Sequence, residues 1–256
     1  TRLNINSTDN LVKLSKGLNL APELANNNAL SAALTRLELF GIGHSKTGIP
    51  TQLNIDNTLA NEAYQLTLAP NAITITASSN TGAFYALMSI AGLVSLDNLS
   101  VPSLTIIDEP HFEFRGLHID VARNFRSKQF ILDTLSQMAA YKLNKLHLHL
   151  ADDEGWRLAI NDLPELTEVG AYRCFDLTEN ECLLPQLSAG IDKSSPVNGF
   201  YSKADYQEIL KFAALNHIEV IPSLDMPGPS RAAVKAMDAR SKKYMQAGEQ
   251  QKAEQY

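Results

Sequence analysis

Three strand signals, each followed by a helix signal, alternate along residues 111–256, and this alternation constrains the fold more than any other feature. The strand signals fall at 116–122, 145–150 and 218–224. Strands that are connected through helices pair in parallel, and parallel sheets need helices on both faces. The sequence therefore predicts an α/β fold, either a doubly wound sheet or a barrel.

Polar residues at the end of each predicted strand favour the barrel. Arg123 follows the first strand, Asp152 ends the second region and Asp225 follows the third. A (β/α)8 barrel gathers its functional residues at this carboxyl end. No glycine-rich phosphate loop follows the first strand, which disfavours a nucleotide-binding sheet. A barrel has eight strand–helix units, so we expect these to be the first three βα units of a truncated TIM (β/α)8 barrel.

Residues 1–110 have a different pattern, which predicts a small α+β domain. Strand candidates lie at 34–41, 63–69, 72–77 and 104–107, and a helix candidate lies at 83–96. The second and third candidates alternate apolar and polar residues around Pro70-Asn71, which indicates a hairpin. We therefore expect two domains, 1–110 and 111–256, of which the second forms the incomplete barrel.

The charge balance argues against several classes of partner. Lys and Arg total 22 against 28 Asp and Glu, a net charge of −6. We therefore expect neither a nucleic-acid binder nor a protein held to anionic lipid. The apolar runs are too short to span a bilayer, so we expect no membrane insertion. The chain opens at Thr1 without a leader, which we interpret as a processed or engineered start.

The two cysteines, Cys174 and Cys182, are eight residues apart. That spacing fits neither a CxxC redox pair nor a metal-binding knuckle. Taken alone, it leaves two interpretations open: two unrelated buried thiols, or a local disulfide in an oxidising compartment.

The segments around the three strands carry motifs similar to those of glycoside hydrolase family 20. They read RGLHIDVARNF at 115–125, NKLHLHLADDEGWR at 144–157 and EVIPSLDMPG at 219–228, in the family's order. The run 163–171, followed by both cysteines, is most similar to bacterial chitobiases. Residues 1–110 resemble, by order and size, the small domain that precedes the barrel in this family.

The resemblance implies a β-N-acetylhexosaminidase that removes terminal N-acetylglucosamine from chitooligosaccharides or related glycans, without a cofactor or metal. Family members use the sugar's own 2-acetamido oxygen as the nucleophile, a Glu as the acid and an adjacent Asp to orient the acetamido group. This pair follows the family's fourth barrel strand, so we expect no catalytic residue in this sequence and no activity from it alone. Asp108-Glu109 and Asp153-Glu154 do not stand at that place.

Three residues match family positions around the sugar. Arg123 resembles the arginine that hydrogen-bonds sugar hydroxyls, and the alternative is an ion pair with Asp120. Asp152 resembles the aspartate that supports the acid through a histidine, and the alternative is a cap for the loop that follows. Asp225 is interpreted as a site-supporting residue or as part of the loop structure. Pro229 departs from the family's Asp-x-Pro-Gly-His pattern, because proline has no imidazole to make that link.

Other residues of these motifs have structural interpretations. His147 and His149 alternate with leucines, and without a third ligand we interpret them as barrel packing rather than metal ligands. We interpret Trp156 as loop packing rather than a sugar-stacking platform. The chitobiase resemblance implies a Cys174–Cys182 disulfide, and hence a periplasmic or secreted protein.

Two other functions stay open. One is a non-catalytic sugar-binding or assembly module derived from the family, and the other is a barrel enzyme of different specificity, such as a lacto-N-biosidase. An incomplete barrel also leaves strand edges and interior apolar side chains uncovered. We therefore expect self-association through those edges.

Overall fold

The computed structural model describes residues 1–186 and 190–256, which form two compact units. The first unit comprises Thr1–Arg115 together with Met138–Leu143 and Leu215–His217. The second comprises Gly116–Gln137, Asn144–Ala214 and Ile218–Tyr256. Among the described residues, no helix has both the length and the apolar character needed to cross a bilayer.

A six-stranded mixed sheet forms the first unit, in the order β1-β6-β4-β5-β3-β2. Its strands are β1 (Arg2–Lys13), β2 (Leu18–Leu20), β3 (Ile49–Ile55), β4 (Tyr64–Ala69), β5 (Ala72–Ala77) and β6 (Ser100–Asp108). The predicted hairpin is confirmed, since β4 and β5 pair antiparallel from Tyr64↔Ala77 to Ala69↔Ala72. The β2–β3 and β3–β5 pairs are parallel and the other pairs are antiparallel, so the sheet is mixed.

Helices cover this sheet and complete the first core. They are α1 (Pro22–Ala25), α2 (Ser31–Leu39) and α3 (Asn80–Leu93), with a 3-10 turn at Asn28–Leu30. Helix α3 packs on β4 and β5 and buries Phe84, Leu87 and Ile90 completely. Each such side chain contributes about 1.5–3 kcal/mol relative to exposure. The helix is capped by the Ser79 side chain, which accepts from the Gly82 amide.

The prediction of a strand at 34–41 is wrong, because this segment lies in helix α2 (Ser31–Leu39). Ala33 and Leu37 are buried four residues apart, which is the spacing of one helix face, whereas Leu39 is 80% exposed. Leu, Arg and Glu also favour helices. Strand β1 has no candidate in the sequence, because nearly all its side chains are exposed and its pairing with β6 defines it.

A parallel sheet with flanking helices forms the second unit, as the alternating signals predict. Its strands run in the order β10-β8-β7, with β9 antiparallel to β8. They are β7 (Gly116–Asp120), β8 (Lys145–Asp152), β9 (Gly155–Trp156) and β10 (Glu219–Leu224). The helices are α4 (Lys128–Ala140), α5 (Glu165–Glu168), α6 (Lys203–Leu215), α7 (Arg231–Gln246) and α8 (Gln250–Ala253). The parallel register brings the carboxyl ends of β7, β8 and β10 to one edge.

Side-chain contacts define the start of helix α6, and Trp156 packs in a core, as interpreted from the sequence. Ser202 Oγ accepts from the Asp205 amide at 3.0 Å and Asp205 Oδ2 accepts from the Ser202 amide at 3.0 Å, which is a capping box. Trp156 is 6% exposed and packs in a core with Leu166, Val169 and the alanines of α7. Its indole nitrogen donates to the Leu158 carbonyl at 2.6 Å.

Arg157 is a fully buried arginine that joins three separate segments of the second unit. Its guanidinium donates to four backbone carbonyls, those of Val121, Ala122, Ala171 and Gly199, at 2.7–3.1 Å. Desolvation, reinforced by the neighbouring charge of Arg173, lowers the pKa of Arg157 to about 9. These bonds fix the backbone immediately before Arg123, so the fold places that side chain through a buried polar centre.

Gly155 makes this centre sterically feasible. A Cβ at this position would lie 2.5 Å from the Ala122 carbonyl oxygen and 2.5 Å from a nitrogen of Arg157. Both atoms take part in the hydrogen bonds just described, so neither can withdraw without breaking them. The glycine of the Asp-Asp-Glu-Gly-Trp motif therefore permits the close approach of strand β9 to the segment after β7.

We predict that Arg157→Met lowers the free energy of unfolding by roughly 3 kcal/mol, because the carbonyls of Val121, Ala122 and Gly199 lose the guanidinium donor and the Ala171 carbonyl keeps only the Gly199 amide. Urea denaturation of the complete encoded protein measures this loss. Arg2→Met is the matched control, since Arg2 is exposed on β1. Equal stability of the two variants would show that the Arg157 bonds contribute nothing net.

Candidate active site

The structure brings the three predicted site residues to one edge of the parallel sheet. Arg123 lies in the loop after β7, Asp152 is the last residue of β8 and Asp225 directly follows β10. The guanidinium of Arg123 contacts Asp152 at 2.7 Å and Asp120 at 2.9 Å. A cationic donor held by two carboxylates therefore stands at the carboxyl ends of neighbouring strands.

Two sets of hydrogen bonds fix the backbone of Arg123. Asp120 Oδ1 accepts from the amides of Ala122 at 2.9 Å and Arg123 at 3.2 Å, which shapes the turn after β7. The Arg123 carbonyl accepts from the buried guanidinium of Arg173. The Arg123 side chain nevertheless stays 42% exposed. A guanidinium has five N–H donors, so donors remain for a ligand after the two carboxylates are satisfied.

Asp152 is a buried carboxylate, 4% exposed, that accepts hydrogen bonds from three directions. Its Oδ2 faces the Arg123 guanidinium at 2.7 Å and His149 Nε2 at 3.0 Å, and its Oδ1 accepts from the Asp153 amide at 2.7 Å. These hydrogen bonds offset the free-energy cost of removing the carboxylate charge from water. Asp152 therefore both caps the following loop and holds Arg123. Arg123 also makes the ion pair with Asp120.

Histidines from β7 and β8 lie beside this ion pair. Ser223 Oγ is 2.8 Å from His147 Nε2 and 2.8 Å from His149 Nδ1. The ring of His118 lies 4.5 Å from that of His147 and 6.1 Å from that of His149. Burial, followed by the neighbouring imidazoles of His118 and His149, lowers the pKa of His147.

Ser223 and the hydrogen bonds of the two histidines are not predicted from the sequence. A usable signal exists, because residues two apart on a strand project from the same face. His147, His149, Ser223 and Asp225 all follow this alternation on predicted neighbouring strands. The missing information was the register, which pairs His149 with Ser223.

His149, Asp152 and Asp225 place three ligand-type atoms within 4.8 Å of one another, which is the geometry of a candidate cation site among the described residues. Asp152 already carries the Arg123 guanidinium, whose positive charge opposes a cation at the same oxygen. The arrangement therefore fits a salt-bridged, hydrogen-bonded site better than a metal centre.

Three carboxylates of the two local acidic pairs, those of Asp108, Asp153 and Glu154, have structural partners. Asp153 Oδ1 accepts from the Arg231 amide at 2.9 Å, at the start of α7, and Glu154 pairs with buried Arg173 at 3.3 Å. In the first unit, Asp108 Oδ2 accepts from Lys142 Nζ at 3.0 Å. The contacts of these carboxylates give each of them a role in holding loops.

The predicted Cys174–Cys182 disulfide is present, with Cα atoms 5.7 Å apart. Within the loop it closes, Asp176 accepts from the Thr178 hydroxyl and from three backbone amides. These bonds, the Thr178 hydroxyl foremost, lower the pKa of Asp176 to about 2. Glu179, 7% exposed, pairs with Arg231 and with Lys235 at 3.6 Å. The cross-linked loop is thereby tied to helix α7.

Two family matches cover nearly all of the chain. Residues 112–256 match the catalytic domain of glycosyl hydrolase family 20, and residues 6–109 match domain 2 of that family. The chain therefore belongs to glycosyl hydrolase family 20, as the strand motifs predict.

Named relatives agree with this assignment. The chain is 56% identical over 250 residues to β-hexosaminidase B of Pseudoalteromonas piscicida, covering 97% of this chain and 32% of that protein. It is 46% identical over 263 residues to N,N'-diacetylchitobiase of Vibrio harveyi, covering 100% of this chain and 30% of that protein.

A solved structure shows the same fold. The exo-β-N-acetylglucosaminidase of Vibrio harveyi, in complex with N-acetylglucosamine, superposes with a TM-score of 0.79 at 32% identity. The match covers 92% of this chain and 37% of that one. The chain thus spans about a third of the length of the relatives it matches.

We predict that acid loosens the disulfide loop between about pH 4 and pH 2. The pKa of Asp176 is depressed in the folded state, so its contribution is present above the unfolded value of about 3.9 and is lost as pH falls through about 2. Once the slowing caused by protonation of the phosphine itself is corrected for, reduction of the disulfide should therefore accelerate across this window.

Asp176→Asn supplies the comparison for this measurement. The amide cannot titrate, so the variant should lack the extra acceleration and be reduced faster than the native loop at pH 5. An identical pH profile in both proteins would show that the Asp176 bonds do not protect the cross-link.

Proposed function

We propose that the protein to which this chain belongs is a β-N-acetylhexosaminidase that removes terminal N-acetylglucosamine from chitooligosaccharides or other N-acetylglucosamine-terminated glycans. The observation that carries the proposal is the Arg123 guanidinium, held by Asp120 and Asp152 at the carboxyl ends of parallel strands. Membership of glycosyl hydrolase family 20 and the names of the relatives support it.

Arg123 is the proposed sugar-binding residue. A planar guanidinium presents several N–H donors in a fixed fork, which suits two neighbouring hydroxyls of a pyranose ring. The two carboxylates orient that fork and offset its charge, so the ligand need not supply an anion. Because the side chain is 42% exposed, its remaining donors are open to a ligand.

Asp152 and Asp225 are proposed to support the site rather than to carry out the chemistry. Asp152 holds Arg123 directly, and Asp225 places a carboxylate oxygen within 4.8 Å of the Asp152 and His149 ligand atoms. In substrate-assisted retaining hydrolysis, the 2-acetamido oxygen of the sugar attacks the anomeric carbon while a glutamic acid protonates the leaving oxygen. The family resemblance assigns that acid to a fourth strand, so the proposed share of these three strands is sugar binding.

Pro229 favours a second candidate, a non-catalytic sugar-binding module. The family pattern has a histidine at this position, linking the supporting aspartate to the acid, and proline can neither donate nor accept through a side chain. A module of this kind would bind N-acetylglucosamine without cleaving its glycosides. Turnover by the complete encoded protein separates the two candidates.

The disulfide supports a periplasmic or secreted location for the protein. Disulfides persist in oxidising compartments and are rare in the cytosol. The Cys174–Cys182 bridge closes a loop that is also held by Asp176 and Glu179, which makes it an integral part of the fold. Fractionation of the source cells tests this proposal.

We predict that Arg123→Lys in the complete encoded protein lowers kcat/KM for an aryl N-acetylglucosaminide by about 10- to 100-fold, because a lysine cannot reproduce the fork. Steady-state kinetics measure the loss. Arg126→Lys, three residues on and exposed, is the matched control and should leave kcat/KM unchanged. A native-like Arg123→Lys enzyme would remove the main support for the proposed site.

We predict that the 256 residues expressed by themselves do not hydrolyse aryl N-acetylglucosaminides. Loss of general acid catalysis alone costs about 10²–10⁴-fold. The edges of β7 and β10 are also proposed to drive self-association of this polypeptide, since each pairs on one side only within the described sheet. Turnover near that of the complete protein would contradict the first expectation, and sedimentation as a clean monomer would contradict the second.

A further inference from the structure

We propose that His149 is a positioning residue for Asp152, and that Ser223 sets the orientation of the His149 imidazole. The inference rests on the proposed function, because Asp152 is the carboxylate that holds the proposed sugar-binding Arg123. His149 on strand β8 would thereby give Asp152 an imidazole partner, whereas position 229, where the family pattern has a histidine, is proline in this chain.

The geometry is a continuous row of hydrogen bonds across two neighbouring strands. His147 Nε2 lies 2.8 Å from Ser223 Oγ, and Ser223 Oγ lies 2.8 Å from His149 Nδ1. His149 Nε2 lies 3.0 Å from Asp152 Oδ2, the same oxygen that Arg123 contacts at 2.7 Å. The row therefore ends on the atom that positions the guanidinium.

The carboxylate determines the direction of the protons along this row. Ionised Asp152 only accepts, so His149 must carry its proton on Nε2. In the neutral ring, Nδ1 is then an acceptor, and it accepts a hydrogen bond from the Ser223 hydroxyl. The Ser223 oxygen in turn accepts from His147 Nε2. With His149 neutral, this arrangement satisfies every contact, and the opposite tautomer of His149 leaves two acceptors facing each other at Asp152.

Burial gives the arrangement its effect on Arg123. His149 is 7% exposed and Asp152 is 4% exposed, so water does not readily replace a lost imidazole donor. A carboxylate deprived of that donor reorients toward its remaining partners, the Asp153 amide and Arg123. The guanidinium would move with it, and its remaining donors would no longer match the sugar hydroxyls.

Other charged or titratable groups face the row from each strand. His118 stands on β7, Asp225 follows β10, and Arg123 lies in the loop after β7. If His149 carried protons on both nitrogens, Nδ1 would donate to Ser223, and the Ser223 hydroxyl would donate to His147 Nε2 in the other tautomer of that ring. The direction of the Ser223 hydrogen bond therefore follows from the protons on His149.

The experiment compares variants of the complete encoded protein. Ser223→Ala removes the link between the imidazoles and His149→Phe removes the donor to Asp152, whereas Ser223→Thr and His149→Gln restore a hydroxyl and an N–H donor. Ser136→Ala is the control, because the Ser136 hydroxyl bonds only to the Leu132 carbonyl of its own helix among the described contacts. Affinity for N-acetylglucosamine is measured by calorimetry, and kcat and KM with an aryl N-acetylglucosaminide.

We expect His149→Phe to weaken sugar binding and raise KM by about tenfold, with a smaller change for Ser223→Ala and recovery in Ser223→Thr. Ser136→Ala should behave as the native protein. If the native protein binds the sugar and His149→Phe and Ser223→Ala bind it equally well, the positioning role is overturned. Equal losses in Ser223→Ala and Ser223→Thr overturn it too, because they would indicate a purely structural effect.

A second readout does not depend on activity. Neutron diffraction from crystals of the complete protein locates the deuterons, and we expect one on His149 Nε2 and one on Ser223 Oγ pointing to His149 Nδ1. A deuteron on His149 Nδ1 alone overturns the inference. If the native protein neither binds nor cleaves the sugar, the proposed function fails, while this measurement still decides whether the row exists.

Discussion

The site depends on a buried positive charge that has backbone oxygens, rather than a carboxylate, as its hydrogen-bond partners. Arg157 gathers carbonyls from the segment after β7, from residue 171 and from residue 199 into one point inside the second unit. Such a centre is costly to form, because the guanidinium loses its hydration and its pKa falls to about 9. The same hydrogen bonds fix irregular loops that strand pairing does not hold.

The positions of the charged groups at the site follow from the backbone that Arg157 fixes. Arg123 lies next to the segment that Arg157 holds, and its own carbonyl binds Arg173, so two buried cations define where a third, exposed cation stands. Asp120 and Asp152 then orient the exposed guanidinium, and the His149 imidazole lies beside the buried Asp152 carboxylate. The charges of the site are thus arranged by contacts that are formed in the protein before any ligand arrives.

The sequence predicted the parts of the fold that have local or periodic signals. The β4–β5 hairpin follows from alternation around Pro70-Asn71, and the parallel sheet follows from the alternation of strand and helix signals along residues 111–256. Helix α2 was misread because its short amphipathic pattern resembles a strand pattern, and β1 was missed because only long-range pairing defines it. At the candidate site, the motifs predict that Arg123 and the strand ends lie together, which the structure shows, but the contacts of Ser223 required the register between strands.

The disulfide loop combines residues that are held in place with side chains that are exposed to solvent. The loop is held covalently by the disulfide and through Glu179, which reaches the same Arg231 whose amide binds Asp153 beside the site. Phe175 and Leu177 of the same loop are exposed, at 71% and 75%. Because the disulfide and Glu179 carry the connection to α7, these two side chains are free to change without disturbing the sheet edge. Sequence variation among related chains is therefore expected to concentrate at these two positions.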